Sequence, residues 1–213
     1  TKCFEYPVYV DTFFSEEYDV TFLKGIAEEF ANSDKKIYPV LYFDNIEKGL
    51  KEFSSLVTRL ALRIPVPEEL DGPTYEDIFD RIQNCKKDYQ DLVFDIILDL
   101  GIIEDGKNAS YQLRETVDII ANHLMGKSYW NRVIISSTSF PEDLQSVPKS
   151  GSNKYKRYDI LLFRKILENP SLGEIKQRIL FSDYGVTKFS DSEIKDFSKF
   201  RYGILPKVRY TTR

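Results

Sequence analysis

The sequence predicts an α/β fold: a (β/α)8 TIM-barrel-like domain, with residues 1–213 forming a single domain. Three observations predict it. Short runs rich in Val, Ile, Leu and Tyr recur along the chain, most of them separated by amphipathic stretches of helical length. The runs are nearly continuous in apolar character, as parallel strands covered on both faces are. No G-x-G-x-x-G and no G-x-x-x-x-G-K-[ST] occurs, so the phosphate-binding turn of the nucleotide-binding open sheets is missing and the barrel is favoured.

The elements follow in order. Residues 6–13 (YPVYVDTF) read as the first strand, and 18–31 as a helix with Phe22, Leu23, Ile26, Ala27 and Phe30 on one stripe. Residues 37–44 (IYPVLYFD) are the second strand. The helix at 45–57 aligns Ile46, Leu50, Phe53, Leu56 and Val57, and Asp44 before Asn45 reads as its cap. Residues 60–66 (LALRIPV) are the third strand, and Asp71-Gly72-Pro73 punctuates the chain before a helix near 75–88. The fourth strand, 92–100 (LVFDIILDL), leads to a helix at 111–125 carrying Leu113, Val117, Ile120, Ala121 and Leu124, with Ser110 as its N-cap. The fifth strand is 132–138 (RVIISST). An irregular stretch at 139–156 follows, and Arg157 and Asp159 open the next helix. Runs at 179–184 (ILFSDY) and 204–211 (ILPKVRYT) complete seven strands. That is one short of a barrel. The chain begins at Thr1 rather than Met, so a further strand is expected upstream.

Composition narrows the function classes. Thirty basic residues stand against thirty-four acidic ones, a net charge of −4, so there is no global nucleic-acid footprint. No apolar run approaches the roughly 20 residues that span a bilayer, and the N-terminus lacks a signal-peptide pattern, which predicts a cytoplasmic protein with no membrane partner. Cys3 and Cys85 make no disulfide framework. A single histidine, His123, disfavours mechanisms that need several and His-rich zinc sites. His123, Cys85 and Trp130 read as structural, Trp130 as an anchor at the barrel bottom.

The functional signal lies where strands finish. Asp11 ends the first, Arg63 sits late in the third, Asp99 ends the fourth and Ser136 with Ser137 the fifth. Asp183 and Tyr184 end the sixth, and Arg209 and Tyr210 come near the end of the last. In a barrel these termini share one mouth, where active sites are built. Alternation puts Tyr9 with Asp11, Ala61 with Arg63, and Asp95 with Asp99 on common faces. Arg63 lies between Leu62 and Ile64, so if buried it needs an anion, and the carboxylates on neighbouring strands supply one. Such a network is either a self-satisfied polar plug or a ligand site, and both readings stand. The basic segment 149–157 (KSGSNKYKR), with Arg157, reads either as a phosphate-binding loop above the mouth or as a solvated one.

The succession YPVYVDTF, LALRIPV, DLVFDIILDLG, RVIISSTSFP, RYDILLFRKI, FSDYG and KVRYTT resembles the beta protein family of phages and bacteria. The resemblance covers most of the chain. It implies a TIM-barrel-like fold and singles out Asp11, Arg63, Asp99, Ser137 with Phe140 and Pro141, Arg157, Asp183 with Tyr184, and Arg209 with Tyr210. It implies no settled reaction, and some bacterial members sit near phage-defence or mobile-element genes. Members usually open with a further strand carrying a Tyr-x-Pro-x-Leu-Lys-like segment and continue past the final Arg-Tyr, and this sequence has neither.

Two functions are therefore expected. The first is a binding module, phage-encoded or defence-associated, recognising an anionic ligand, a nucleic acid or a protein partner. Arg63, Arg157 and Arg209 would grip the anion through forked hydrogen bonds while aspartates orient them. The second is a metal-assisted hydrolase of a phosphodiester or nucleotide, with Asp11, Asp99 and Asp183 holding Mg²⁺. No other cofactor is implied, and oligomeric state is not legible.

Overall fold

A computed structural model describes residues 8–11, 20–31, 36–67, 72–139 and 156–182. Six strands, β1 (Val8–Val10), β2 (Ile37–Tyr42), β3 (Arg59–Pro65), β4 (Val93–Ile102), β5 (Val133–Thr138) and β6 (Ile179–Ser182), form one sheet in sequential order. Every neighbouring pair is parallel. Parallel neighbours need crossovers, and these are supplied by α1 (Val20–Ala31), α2 (Ile46–Phe53), α3 (Tyr75–Asp88), α4 (Gly106–Ile119) and α5 (Tyr158–Glu168). Sequential order with crossovers of one hand sets the helices on one face and curls the sheet into a half-barrel. The expected alternation is realised over six strands. The seventh run, 204–211, lies outside the described residues.

The two faces of the sheet differ sharply. Leu60, Leu62 and Ile64 of β3, Phe94, Ile96 and Leu98 of β4, and Val133 and Ile135 of β5 join the main core, with Leu23, Leu50, Phe53, Ile82 and Ile166 from the helices. Among the described residues the opposite, inner face carries a thin apolar layer of Val40, Ala61, Ile97 and Ile134, against which Tyr9 packs. On β3 and β4 this face also carries the charged residues Arg59, Arg63, Asp95 and Asp99.

Several boundaries move from their sequence positions. The fourth helix begins at Gly106, not 111, because Asp105 caps it by accepting from Asn108 N–H at 2.7 Å. Ser110 instead donates to the Gly106 carbonyl inside the first turn. This helix ends in a π-helical turn, Ile120–Leu124, where His123 stacks on Phe79 at 4.9 Å between ring centroids. Asp44 sits in a 3-10 turn (Phe43–Asn45) rather than capping α2, and Asn45 takes the cap position. Trp130 is buried, donates from Nε1 to the Leu124 carbonyl at 2.9 Å, and lies under the Arg178 guanidinium. Cys85 is buried in the core.

Candidate functional site

Three strand ends bring Asp11, Arg63 and Asp99 together on the inner face. Arg63 lies in register with Tyr42 of β2 on one side and Ile97 of β4 on the other, so its side chain rises toward the carboxyl ends of β1 and β4. Its Nε donates to Asp99 Oδ2 at 2.9 Å and its Nη2 approaches the same oxygen at 2.8 Å, while Nη1 pairs with Asp11 Oδ2. The Tyr42 hydroxyl donates to the other Asp11 oxygen at 2.6 Å. Only 10% of the Arg63 side chain is exposed, against 22% of that of Asp11.

Asp99 is aimed by its backbone. The β4–β5 register shifts between Asp99 and Gly101, and Gly101 takes φ 65°, a left-handed conformation that suits glycine. The Gly101 N–H donates back to Asp99 Oδ1 at 3.1 Å. One carboxylate oxygen thus shapes the turn and the other binds Arg63. Burial works to lower the Arg63 pKa, but Asp99, Tyr42 and Asp11 outweigh it and hold the guanidinium charged. Burial and Asp11 push the Tyr42 hydroxyl well above the usual phenol range, so it remains a donor.

A second charged rung lies four residues earlier on both strands. Asp95 is fully buried and accepts from the Tyr9 hydroxyl at 2.6 Å, from Asn131 Nδ2 at 3.4 Å and from Arg59 Nη1 at 3.4 Å. Sequence reasoning missed Arg59 and Tyr42. The available signal was the shared spacing: Arg59 and Arg63, like Asp95 and Asp99, stand four apart and therefore on one face.

The other candidates fall elsewhere. Ser136 faces Asp99 across the β4–β5 pair, but alternation turns Ser137 to the helix-covered side, where it is fully buried. Arg157 opens α5 and pairs with buried Asp159, donating from Nε at 2.9 Å and Nη2 at 2.7 Å. Asp183, Tyr184, Arg209, Tyr210, Phe140, Pro141 and the basic segment before Lys156 lie outside the described residues.

Beside the cluster opens a cleft of about 150 Å³, bounded by Tyr42, Arg63, Ile46, Pro65, Tyr75 and Ile78 among others. It lies at the carboxyl ends of β2 and β3, where parallel sheets place their ligands. Among the described residues no group of three or more His, Cys, Asp or Glu side chains is arranged to hold a metal. Asp11 and Asp99 converge instead on the Arg63 guanidinium, so a Mg²⁺ ion between these two would have to displace it. Among the described residues no helix is long and apolar enough to cross a membrane.

No curated protein and no solved structure matches the chain. A family model described as Beta protein matches residues 4–213, nearly the full length, and covers every strand and helix that builds the rim. The chain belongs to the Beta protein family.

Proposed function

We propose that this chain is a binding module whose Arg/Asp-lined rim takes the anionic group of a ligand or partner. The observation that carries the reading is the Arg63 guanidinium held between Asp11 and Asp99 at the carboxyl ends of three strands. An arginine oriented by carboxylates presents a fixed planar fork, the geometry that suits carboxylate or phosphate. Arg157 on Asp159 repeats the device at the start of α5. Asp11 is the more exposed of the two Arg63 partners, so an incoming anion enters by exchange. It replaces Asp11 on the guanidinium and takes over the Tyr42 hydroxyl bond.

The wider setting in this reading is a closed eight-stranded barrel in the cytoplasm, with Asp183, Tyr184, Arg209 and Tyr210 completing the mouth. The partner is a nucleic acid or protein of phage–host conflict, a setting motivated by the family. The convergence of Asp11 and Asp99 on a guanidinium favours binding over the alternative, a Mg²⁺-assisted hydrolase using Asp11, Asp99 and Asp183.

Exchange has a signature. Titrating inorganic pyrophosphate by calorimetry, Asp11→Asn should bind severalfold more tightly than the parent because the competing carboxylate is gone. Arg63→Gln should lose binding. Weaker binding in Asp11→Asn, with the variant still folded, would overturn exchange. A Mg²⁺-dependent rise in Tm that Asp99→Asn with Asp183→Asn abolishes would instead establish a metal site there and favour the hydrolase.

A further inference from the structure

We infer that α4 and β5 enclose a column of internal water on the helix-covered side of the sheet, behind Asp99. Four buried oxygen atoms, Asn108 Oδ1, Gln112 Oε1, Thr116 Oγ1 and Ser137 Oγ, have no hydrogen-bond partner among the described residues. Gln112, Thr116 and Ser137 are each at least nine-tenths buried. Native proteins leave only a few such atoms per hundred residues, so it is the grouping of these four that calls for an occupant.

Placement makes them one site. Asn108, Gln112 and Thr116 recur every four residues and so form a single stripe down α4. Gln112 fixes its level, because its Nε2 donates to the Val66 carbonyl at 3.2 Å while the Val66 N–H donates to the Asp99 carbonyl at 2.8 Å. Ser137 stands opposite Gly101 in the register, just beyond Asp99, with its side chain turned toward the helices. The Gln112 level of the stripe and the serine therefore lie toward the same, carboxyl end of the sheet.

The chemistry selects water. Eight residues of helix cover about 12 Å, too far for one ion or one molecule to satisfy both ends. At a hydrogen-bond spacing of about 2.8 Å, roughly three waters bridge it. All four atoms are neutral oxygens. The two amide oxygens accept only and the two hydroxyls do either, which suits a molecule with two donors and two acceptors. Half-buried Asn108 in the first turn of α4 is the outer end, and fully buried Thr116 is the closed one.

Thermal unfolding decides the matter by sign. In a filled column, Thr116→Val and Ser137→Ala each deprive held waters of a partner, and each should lower Tm by about 2–4 °C in a chain of this size. The double variant should lose less than the sum, since the waters are shared. In a dry column the same substitutions remove stranded hydroxyls, and an unchanged or higher Tm would overturn the inference. On the unaltered protein, nuclear Overhauser transfer from long-lived water to the Thr116 methyl should be seen, and its absence would equally defeat the proposal. Neither readout depends on the rim binding an anion.

Discussion

A guanidinium between Leu62 and Ile64 in a covered strand must find anions, and Arg63 finds two, from strands on either side of its own. Removing it takes the cation from both carboxylates, so Arg63→Ala should cost about 3–5 kcal/mol, typical of breaking a buried pair by removing one partner. A surface pair behaves differently. Arg81 of α3 grips Glu47 of α2 through both oxygens while its guanidinium covers the Phe43 ring. The hydrogen bonds from Arg81 hold the Glu47 carboxyl below its ordinary value of 4.5. A depressed carboxylate stabilises the fold above that value and loses the contribution as pH falls through its folded pKa. Tm of the parent should therefore exceed that of Glu47→Gln at pH 7, and the gap should close as pH falls below the ordinary glutamate value and through the lowered folded-state pKa. A gap that persists in acid would mean that Glu47 acts through packing alone. At this scale the need of Arg63 for a carboxylate partner was legible, because a charge in an apolar run announces it. The Tyr42 bond was not, because a tyrosine in a strand reads as packing.

Among elements, α2 lies close on β2 because Gly49 lets it. An added Cβ at that position would stand 2.5 Å from Leu41 Cδ2, a fully buried side chain with little room to move. Gly49→Ala should thus destabilise by about 1–3 kcal/mol despite its better helix propensity, seen as a lower urea midpoint with unchanged slope. A rise in the midpoint would show that Leu41 yields easily. Helix α3 matched its sequence limits because its start is written locally, in the reciprocal bonds between Thr74 and Asp77. Helix α4 did not, since its opening Gly106-Lys107-Asn108 looks like loop and its apolar stripe begins only at Leu113. The tertiary requirement there is for a polar face toward the sheet, which periodicity in hydrophobicity cannot report. Ser137 shows the same limit, for strand-end position suggested the mouth and alternation sent its hydroxyl the other way.

Across the whole molecule, β3, β4 and β5 are each paired on both sides among the described residues and back onto the main core. Their amides should be the slowest to exchange with deuterium, with those of three-residue β1 at least about tenfold faster. Equal protection across the sheet would mean that it opens only globally. The repeating apolar runs and amphipathic helices were enough for the sequence alone to determine a parallel α/β sheet with its helices as crossovers, because burial on both strand faces and one helix face is written into local periodicity. Which charges meet was decided only by tertiary structure. Asp11 and Arg63 are 52 positions apart, and their pairing depends on strand order, register and the bulge at Asp99, each a property of neighbouring strands rather than of any single stretch of chain.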